Sequence, residues 1–131
     1  MKVERSFLLS LIVLLVTFIY VSFLFGQNLL EKGIMEYRAE NYEEALEIFK
    51  HLRVLEPRST VVAFYLGLTY KQVGNYSEAV VHLKEAVAYE PKVLDTYPVL
   101  IELLVGLERL KEAKKYVAEA DKLKVFPGQI S

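Results

Sequence analysis

The side chains with which this chain could perform acid–base or nucleophilic chemistry are few and far apart. It contains no cysteine and two histidines, His51 and His82, which are 31 residues apart. Without cysteine there is no thiolate nucleophile, disulfide or cysteine-ligated zinc site. No glycine-rich phosphate loop, nucleophile elbow or metal-ligand spacing occurs in the sequence. We therefore interpret both histidines as surface or half-buried helix residues, and we predict no catalytic activity, no metal and no other cofactor.

The carboxylates are numerous, but their placement is typical of solvated helix surfaces. Glu43, Glu44, Glu47 and Glu78 occur among basic residues, and the formal net charge of the chain is −1. No basic stripe is present that could release counterions from a nucleic acid. We expect no nucleic-acid partner.

An uncharged apolar run extends from Phe7 to Phe25 near the start of the chain. As a helix these 19 residues span about 28 Å, close to the hydrocarbon core of a bilayer, which is roughly 30 Å thick. The few hydroxyl side chains within the run can bond back to helix carbonyls and are tolerated in lipid. The sequence therefore predicts that residues 7–25 enter a membrane.

This segment is either an uncleaved signal anchor, residues 1–26, or a cleaved signal peptide. A secretory signal has a shorter apolar stretch followed by small residues, whereas this run is long and places bulky Leu24 before Gly26. We favour the anchor. With only Gly26 to Asn28 intervening, the next helix either continues the anchor or lies at the membrane surface.

The basic residues around the apolar run predict its orientation. Lys2 and Arg5 precede the run, and only Lys32 follows it closely. Because basic residues are retained on the cytoplasmic side, we expect the N-terminus in the cytoplasm and the second domain, residues 27–131, outside it.

This second domain repeats itself at an offset of 34 residues. Residues 41–45 (NYEEA) align with residues 75–79 (NYSEA), and a third copy follows at residues 109–113 (RLKEA). At the same offset Gly33 aligns with Gly67. A fixed period of this length predicts stacked supersecondary units.

Turn residues and helical periodicity divide each copy into two helices. Pro57 and Pro91 end the second helices, and Gly74 ends a first helix because glycine tolerates the left-handed conformation. Gly33 and Gly67 let the paired helices approach closely. We predict helices at about 28–39, 42–55, 60–73, 76–89, 95–106 and 109–123. In the middle copy Leu66, Tyr70 and Val73 recur at helical spacing, as do Val80, Leu83 and Val87.

These residues resemble the tetratricopeptide repeat, with copies at about 26–59, 60–93 and 94–128. The middle copy carries the family's signature positions at Leu66, Gly67, Tyr70, Gly74, Tyr76, Ala79, Ala86 and Pro91. Departures from the pattern are Lys32, Glu36, Ala63, Ile101 and the late Pro127. The resemblance implies an all-α protein in which an N-terminal transmembrane helix precedes an α-solenoid of about three helical hairpins.

The resemblance also implies a binding surface, since the first helices of such hairpins line a concave groove that holds a peptide. By position, the groove residues are Ile34, Tyr37, Arg38, Phe64, Tyr65, Leu68, Lys71, Gln72, Val99, Glu102 and Val105. The asparagines with which some members clamp a C-terminal carboxylate are not present, so that partner class is rejected. In the alternative interpretation, Phe64 and Leu68 only pack against a neighbouring hairpin.

The function that follows is a membrane-anchored scaffold or assembly factor that binds a protein or peptide in its groove. Three alternatives remain open: a cleaved and exported soluble protein, the regulatory arm of a longer protein that continues past Ser131, and a homo-oligomer. The last would form through the C-terminal helix, since the sequence contains no polar capping helix of the kind that solenoid ends need.

Overall fold

The computed structural model describes residues 2–92 and 95–123, and every regular element within them is an α-helix. The helices are α1 Lys2–Arg38, α2 Tyr42–Leu55, α3 Thr60–Gln72, α4 Tyr76–Tyr89, α5 Thr96–Gly106 and α6 Leu110–Lys122. The predicted all-α class is confirmed, and α2 to α6 begin and end within one residue of their predicted bounds. The predicted late proline, Pro127, and the end of the third copy lie outside the described residues.

The first helix runs without interruption across the predicted domain boundary between residues 26 and 27. No proline occurs there, and one glycine inside a helix costs only about 1 kcal/mol, so both flanking segments remain in one helix. Within the described residues α1 is the one helix long and apolar enough to cross a membrane, and an 18-residue stretch of it has a mean hydropathy of 2.7. The first helix of the first hairpin is therefore the direct continuation of the apolar segment.

The turns inside the three hairpins share one backbone conformation at the repeat period. Glu40, Gly74 and Glu108 have positive φ angles of 64°, 81° and 58°. The next amide in each case bonds to the carbonyl five residues before it, at 2.9 Å for the first two turns and 2.8 Å for the third. This left-handed residue reverses the chain and satisfies carbonyls at the helix end.

The paired helices of the first two hairpins meet at their glycines. A Cβ on Gly33 would lie 2.8 Å from Cε1 of Phe49, and a Cβ on Gly67 would lie 2.5 Å from Cγ of Leu83. In the third hairpin Ile101 occupies the equivalent position and is half-buried. A branched side chain prevents the same close approach there.

The core consists of two apolar clusters. One joins the first and second hairpins through Ala45, Ile48, Phe49, Leu52, Val62 and Leu66. The other joins the second and third hairpins and includes Val80, Leu83, Val87, Tyr97, Leu100 and Leu104. Of the apolar residues that recur at helical spacing in the middle copy, Leu66, Val80, Leu83 and Val87 are buried. Val73 is 38% exposed, because α3 ends at Gln72.

Ion pairs connect the second helices on the convex side. Arg53 of α2 forms two hydrogen bonds with Glu85 of α4, which hold the pKa of the Glu85 carboxyl below its ordinary value. Between the second and third hairpins, Glu112 of α6 accepts a hydrogen bond from Arg109 Nε at 2.7 Å and another from Lys84 of α4. These hydrogen bonds, with that of Arg109 the larger cause, lower the pKa of Glu112 to about 2.

Candidate protein-binding groove

The residues predicted to form the groove lie on the repeat end of α1, on α3 and on α5. An ion pair at 3.1 Å between Lys71 Nζ on α3 and Glu102 Oε1 on α5 joins two of these helices. Tyr37 on α1 and Tyr65 on α3 meet edge to face with ring centroids 5.8 Å apart. The structure therefore brings predicted residues of all three first helices onto one side of the solenoid.

Tyr65 is the centre of an aromatic cluster on this surface. It contacts Phe64 edge to face at 5.6 Å, in addition to Tyr37, and stacks on Phe49 at 5.3 Å. The ring of Tyr42 contacts the ring of Tyr37 edge to face, with their centroids 5.5 Å apart. These rings fix one another's positions, and such pairs are worth about 0.5–1.5 kcal/mol each beyond the area they bury.

Five of the predicted groove residues also pack against the core. Ile34, Tyr37 and Tyr65 border the first cluster, while Phe64 and Val99 border the second. All five are half-buried. Phe64 therefore packs on a cluster formed by its own hairpin and the third, and each of the five side chains keeps an exposed portion.

The remaining predicted residues supply the solvent-facing part of the surface. Arg38, Gln72 and Glu102 are exposed, Leu68 is half-buried, and Val105 is 51% exposed. Arg38 makes no hydrogen bond or ion pair with any residue that the structure describes. Arginine is a common anchor in protein interfaces, and of the two cations predicted for the groove, Lys71 is already paired with Glu102.

A shallow cavity of about 300 Å³ lies at the end of the surface between α3 and α5. Its lining residues are Lys71, Tyr76, Glu102, Leu103, Gly106 and Leu107. Tyr76 was not among the predicted groove residues, because it belongs to a second helix and enters the cavity only through the folding of the hairpin.

The two histidines have different surroundings. His82 stacks on Tyr70 with ring centroids 5.4 Å apart, and its Nδ1 lies 3.0 Å from Glu85 Oε2. His51 is exposed and lines an open cavity of about 650 Å³ with Leu29, Ile48 and three glutamates. Among the described residues no group of three His, Cys, Asp or Glu side chains could hold a metal ion.

Comparison with known proteins finds one family match within the chain. Residues 64–93 match the tetratricopeptide repeat. The chain is 26% identical over 91 residues to the BBSome complex member BBS4 of Mus musculus, an alignment that covers 70% of this chain and 18% of that protein. The chain thus spans less than a fifth of the length of this relative.

Solved structures with the same fold include two that hold peptides. The first repeat domain of Spaghetti (RPAP3), bound to an HSP90 peptide, has a TM-score of 0.70 and 22% identity, covering 80% of this chain and 82% of that one. The Yersinia enterocolitica secretion chaperone SycD, in complex with a peptide of the translocator YopD, has a TM-score of 0.70 and 20% identity, covering 79% and 78%. At these identities the likeness establishes the fold.

Proposed function

The chain carries a tetratricopeptide repeat within a solenoid of that fold, and from this premise we propose that it is a membrane-anchored scaffold that binds a protein segment. The observation that carries the proposal is the continuity of α1, which joins an exposed apolar segment of membrane-spanning length to the first helix of the groove. A partner bound in the groove is then held close to a membrane. The fold is generally that of interaction modules, and we propose that this chain has no catalytic activity.

The groove is the proposed binding site for the partner segment. Its half-buried aromatic cluster around Tyr65 offers rigid apolar contacts, and the exposed Arg38 and Gln72 offer hydrogen-bond donors at its edge. Rigid aromatic residues with arginine are favoured in interfaces because little side-chain entropy is lost on binding. Spaghetti and SycD, which share this fold, each bind a peptide, and this supports a peptide-binding role.

Photo-crosslinking in the native membrane tests the groove. We expect probes at Arg38, Gln72 and Glu102 to capture the same partner, and a probe at the convex residue Val81, which is 47% exposed, to capture none of it. Phe64 is avoided because it packs on the core.

A charge reversal provides a second measurement of the same surface. Arg38→Glu should reduce several-fold the amount of partner that the probes at Gln72 and Glu102 capture. Lys111→Glu, the matched control at an exposed lysine of α6, should leave that amount unchanged. Equal capture from the groove and from Val81 would contradict the assignment.

The orientation of the anchor is a further part of the proposal. Lys2 and Arg5 before the apolar run favour an N-terminus in the cytoplasm and repeats outside it. Protease treatment of sealed vesicles carrying a C-terminally tagged protein checks this, because external repeats and cytoplasmic repeats leave fragments of different size and tag content. A measured mass equal to that of a chain beginning near Gln27 would instead establish the cleaved, exported form.

Self-association is a second candidate role, favoured by the outer face of the last hairpin. An open cavity of about 340 Å³ there is lined by Ile101, Val105, Leu110, Ala113, Lys114, Val117, Ala118 and Asp121. Leu110 is 55% exposed and Val117 39%. A second copy of the chain bound at this face would cover these apolar side chains.

Light scattering in detergent measures this association directly. We expect a mass that rises with concentration and falls to that of a monomer in Leu110→Glu, while Val81→Glu on the convex side behaves like the unmodified chain. A monomeric mass at all concentrations would contradict self-association.

A further inference from the structure

The membrane end of the solenoid is fixed by a contact between α1 and the first inter-hairpin turn. Gly26, the residue directly after the apolar run, is buried, whereas the side chains of residues 7–25 are exposed along α1. A Cβ on Gly26 would lie 3.4 Å from Oε1 of Glu56, the residue that caps the end of α2. The Glu56 side chain of the repeat domain therefore reaches α1 at the residue where the apolar run ends.

This contact places the turn at residues 56–59 at the level of the lipid headgroups. With residues 7–25 in the hydrocarbon core, Gly26 lies at its boundary, since one residue of helix rises only about 1.5 Å. The headgroup layer on each side of a bilayer is roughly 5–8 Å thick. The turn beside Gly26, and the helical turns that flank it, cannot avoid this layer unless α1 leaves the bilayer.

The side chains around this turn are of the kind found at membrane interfaces. Val54 is 76% exposed, Leu55 52% and Val61 45%, although each lies within two residues of the turn or its cap. The opposite end of the same hairpin, at Glu40 and Asn41, is exposed and polar. Exposed apolar side chains also occur toward the opposite ends of the hairpins, at Met35, Val73 and Leu110. It is the position of Val54, Leu55 and Val61 beside the end of the apolar run that assigns these three to the bilayer.

The second hairpin reaches the same level. Tyr89, the last residue of α4, donates a hydrogen bond from its hydroxyl to the carbonyl of Pro57 at 3.2 Å. The guanidinium carbon of Arg58 lies 5.6 Å from the centre of the Tyr89 ring. Tyrosine and arginine both favour the boundary between lipid and water, where the ring or the aliphatic stem faces lipid and the polar end stays hydrated.

We propose that the solenoid rests on the bilayer surface through this end, defined by Val54, Leu55, Pro57, Arg58, Val61 and Tyr89. The occupant of the surface is the headgroup layer of the same membrane that holds α1, since the surface is continuous with the apolar run at Gly26. This inference rests on the proposed anchoring and adds to it a second contact, which holds the groove at a fixed height. Because Glu56 and Arg58 balance each other in charge, the contact requires no anionic lipid.

Depth measurements with spin labels test the contact in the full-length protein reconstituted into phosphatidylcholine vesicles. The chain has no cysteine, so Val54→Cys and Val61→Cys each carry a single label. Ile12→Cys inside the apolar run and Ser77→Cys at the exposed far end of α4 are the matched references. Each spin label collides with oxygen, which is enriched in lipid, and with a nickel complex, which stays in water. The ratio of the two collision rates reports the depth of the label. Crowding by the protein lowers both rates and cancels in the ratio.

We expect the ratio at positions 54 and 61 to exceed that at position 77 several-fold and to lie below that at position 12. A ratio at 54 and 61 equal to that at 77, with position 12 still in lipid, would overturn the surface contact and leave the anchor intact. A water-like ratio at position 12 would overturn the anchor, and the surface contact with it.

Discussion

At the scale of single residues, the structure depends on positions where a side chain has no room. Gly67 faces the buried Leu83 at the closest approach of two helices, and the backbone carbonyl of Ala79 would lie 3.2 Å from a Cβ on Gly67. A backbone atom cannot move aside as the end of a flexible side chain can. The family's preference for a small residue here thus has a direct steric cause.

Gly67→Ala should lower the free energy of unfolding. Crowding in a packed core costs about 1–3 kcal/mol, which exceeds the gain of roughly 1 kcal/mol from replacing glycine inside a helix. Chemical unfolding in detergent measures the change. Gly106→Ala is the matched control, because a Cβ there meets nothing within 4 Å, and this variant should be neutral or more stable. Equal effects of the two substitutions would contradict the steric explanation.

The turn residues allow a prediction of the opposite sign. Glu108 has a φ of 58°, and a left-handed conformation costs a residue with a side chain about 1–2 kcal/mol. Glu108→Gly should therefore raise the free energy of unfolding by about 0.5–1 kcal/mol, after the greater entropy lost by glycine is subtracted. The reverse change at the equivalent turn, Gly74→Ala, should lower it by a similar amount. A lower melting temperature for Glu108→Gly would contradict this account.

At the scale of elements, ion pairs between second helices hold neighbouring hairpins in register. Lys84 on α4 and Glu112 on α6 form such a pair between the second and third hairpins, as Arg53 on α2 and Glu85 on α4 do between the first and second.

The low pKa of Glu112 predicts a dependence of stability on pH. Its pKa is about 2 in the folded chain against an ordinary value of 4.5, so between these values the unfolded chain binds more protons. Stability from this group is complete above pH 4.5 and is lost as the pH falls toward about 2. As the pH is lowered across this interval, the melting temperature of Glu112→Gln should fall less steeply than that of the unmodified chain.

Glu85 contributes to the same acid loss, because its pKa is also lowered, chiefly by Arg53. Glu112→Gln therefore keeps part of the pH dependence, and Glu85→Gln serves as the comparison. Parallel curves for the unmodified chain and Glu112→Gln would show that the hydrogen bonds with Arg109 and Lys84 do not hold the carboxylate charged.

At the scale of the whole molecule, the continuity of α1 decides how the solenoid is connected to the apolar segment. A helix has no free hinge, so the hairpins follow the direction of the apolar segment instead of moving on a flexible linker.

Gln27→Pro should uncouple the two parts of α1. Proline inside a helix removes a hydrogen bond and clashes with the preceding turn, at a cost of about 3 kcal/mol or more. Spin labels at Ile12→Cys and Ser77→Cys in the same chain should give a narrow distribution of distances, which broadens with the added Gln27→Pro. Gln27→Ala is the matched control and should leave it narrow. A broad distribution in the chain without proline would contradict a rigid connection.

The sequence by itself determined the repeat architecture, because its signals are local. The 34-residue period, the glycine at each close approach and the prolines after the second helices act within one hairpin, so their meaning does not depend on the rest of the fold. For the same reason the bounds of α2 to α6 could be predicted to within one residue. The apolar run could be recognised in the same way, because its length and its lack of charged residues are properties of that segment alone.

The tertiary structure decided what depends on contacts between distant residues. Only folding brings Tyr76 of a second helix into the cavity with Lys71 and Glu102, and only folding brings Glu56 beside Gly26. The continuity of α1 also required the structure, because glycine followed by two polar residues is compatible with either a helix or a break. These features arise from packing between hairpins, whose geometry no single repeat encodes.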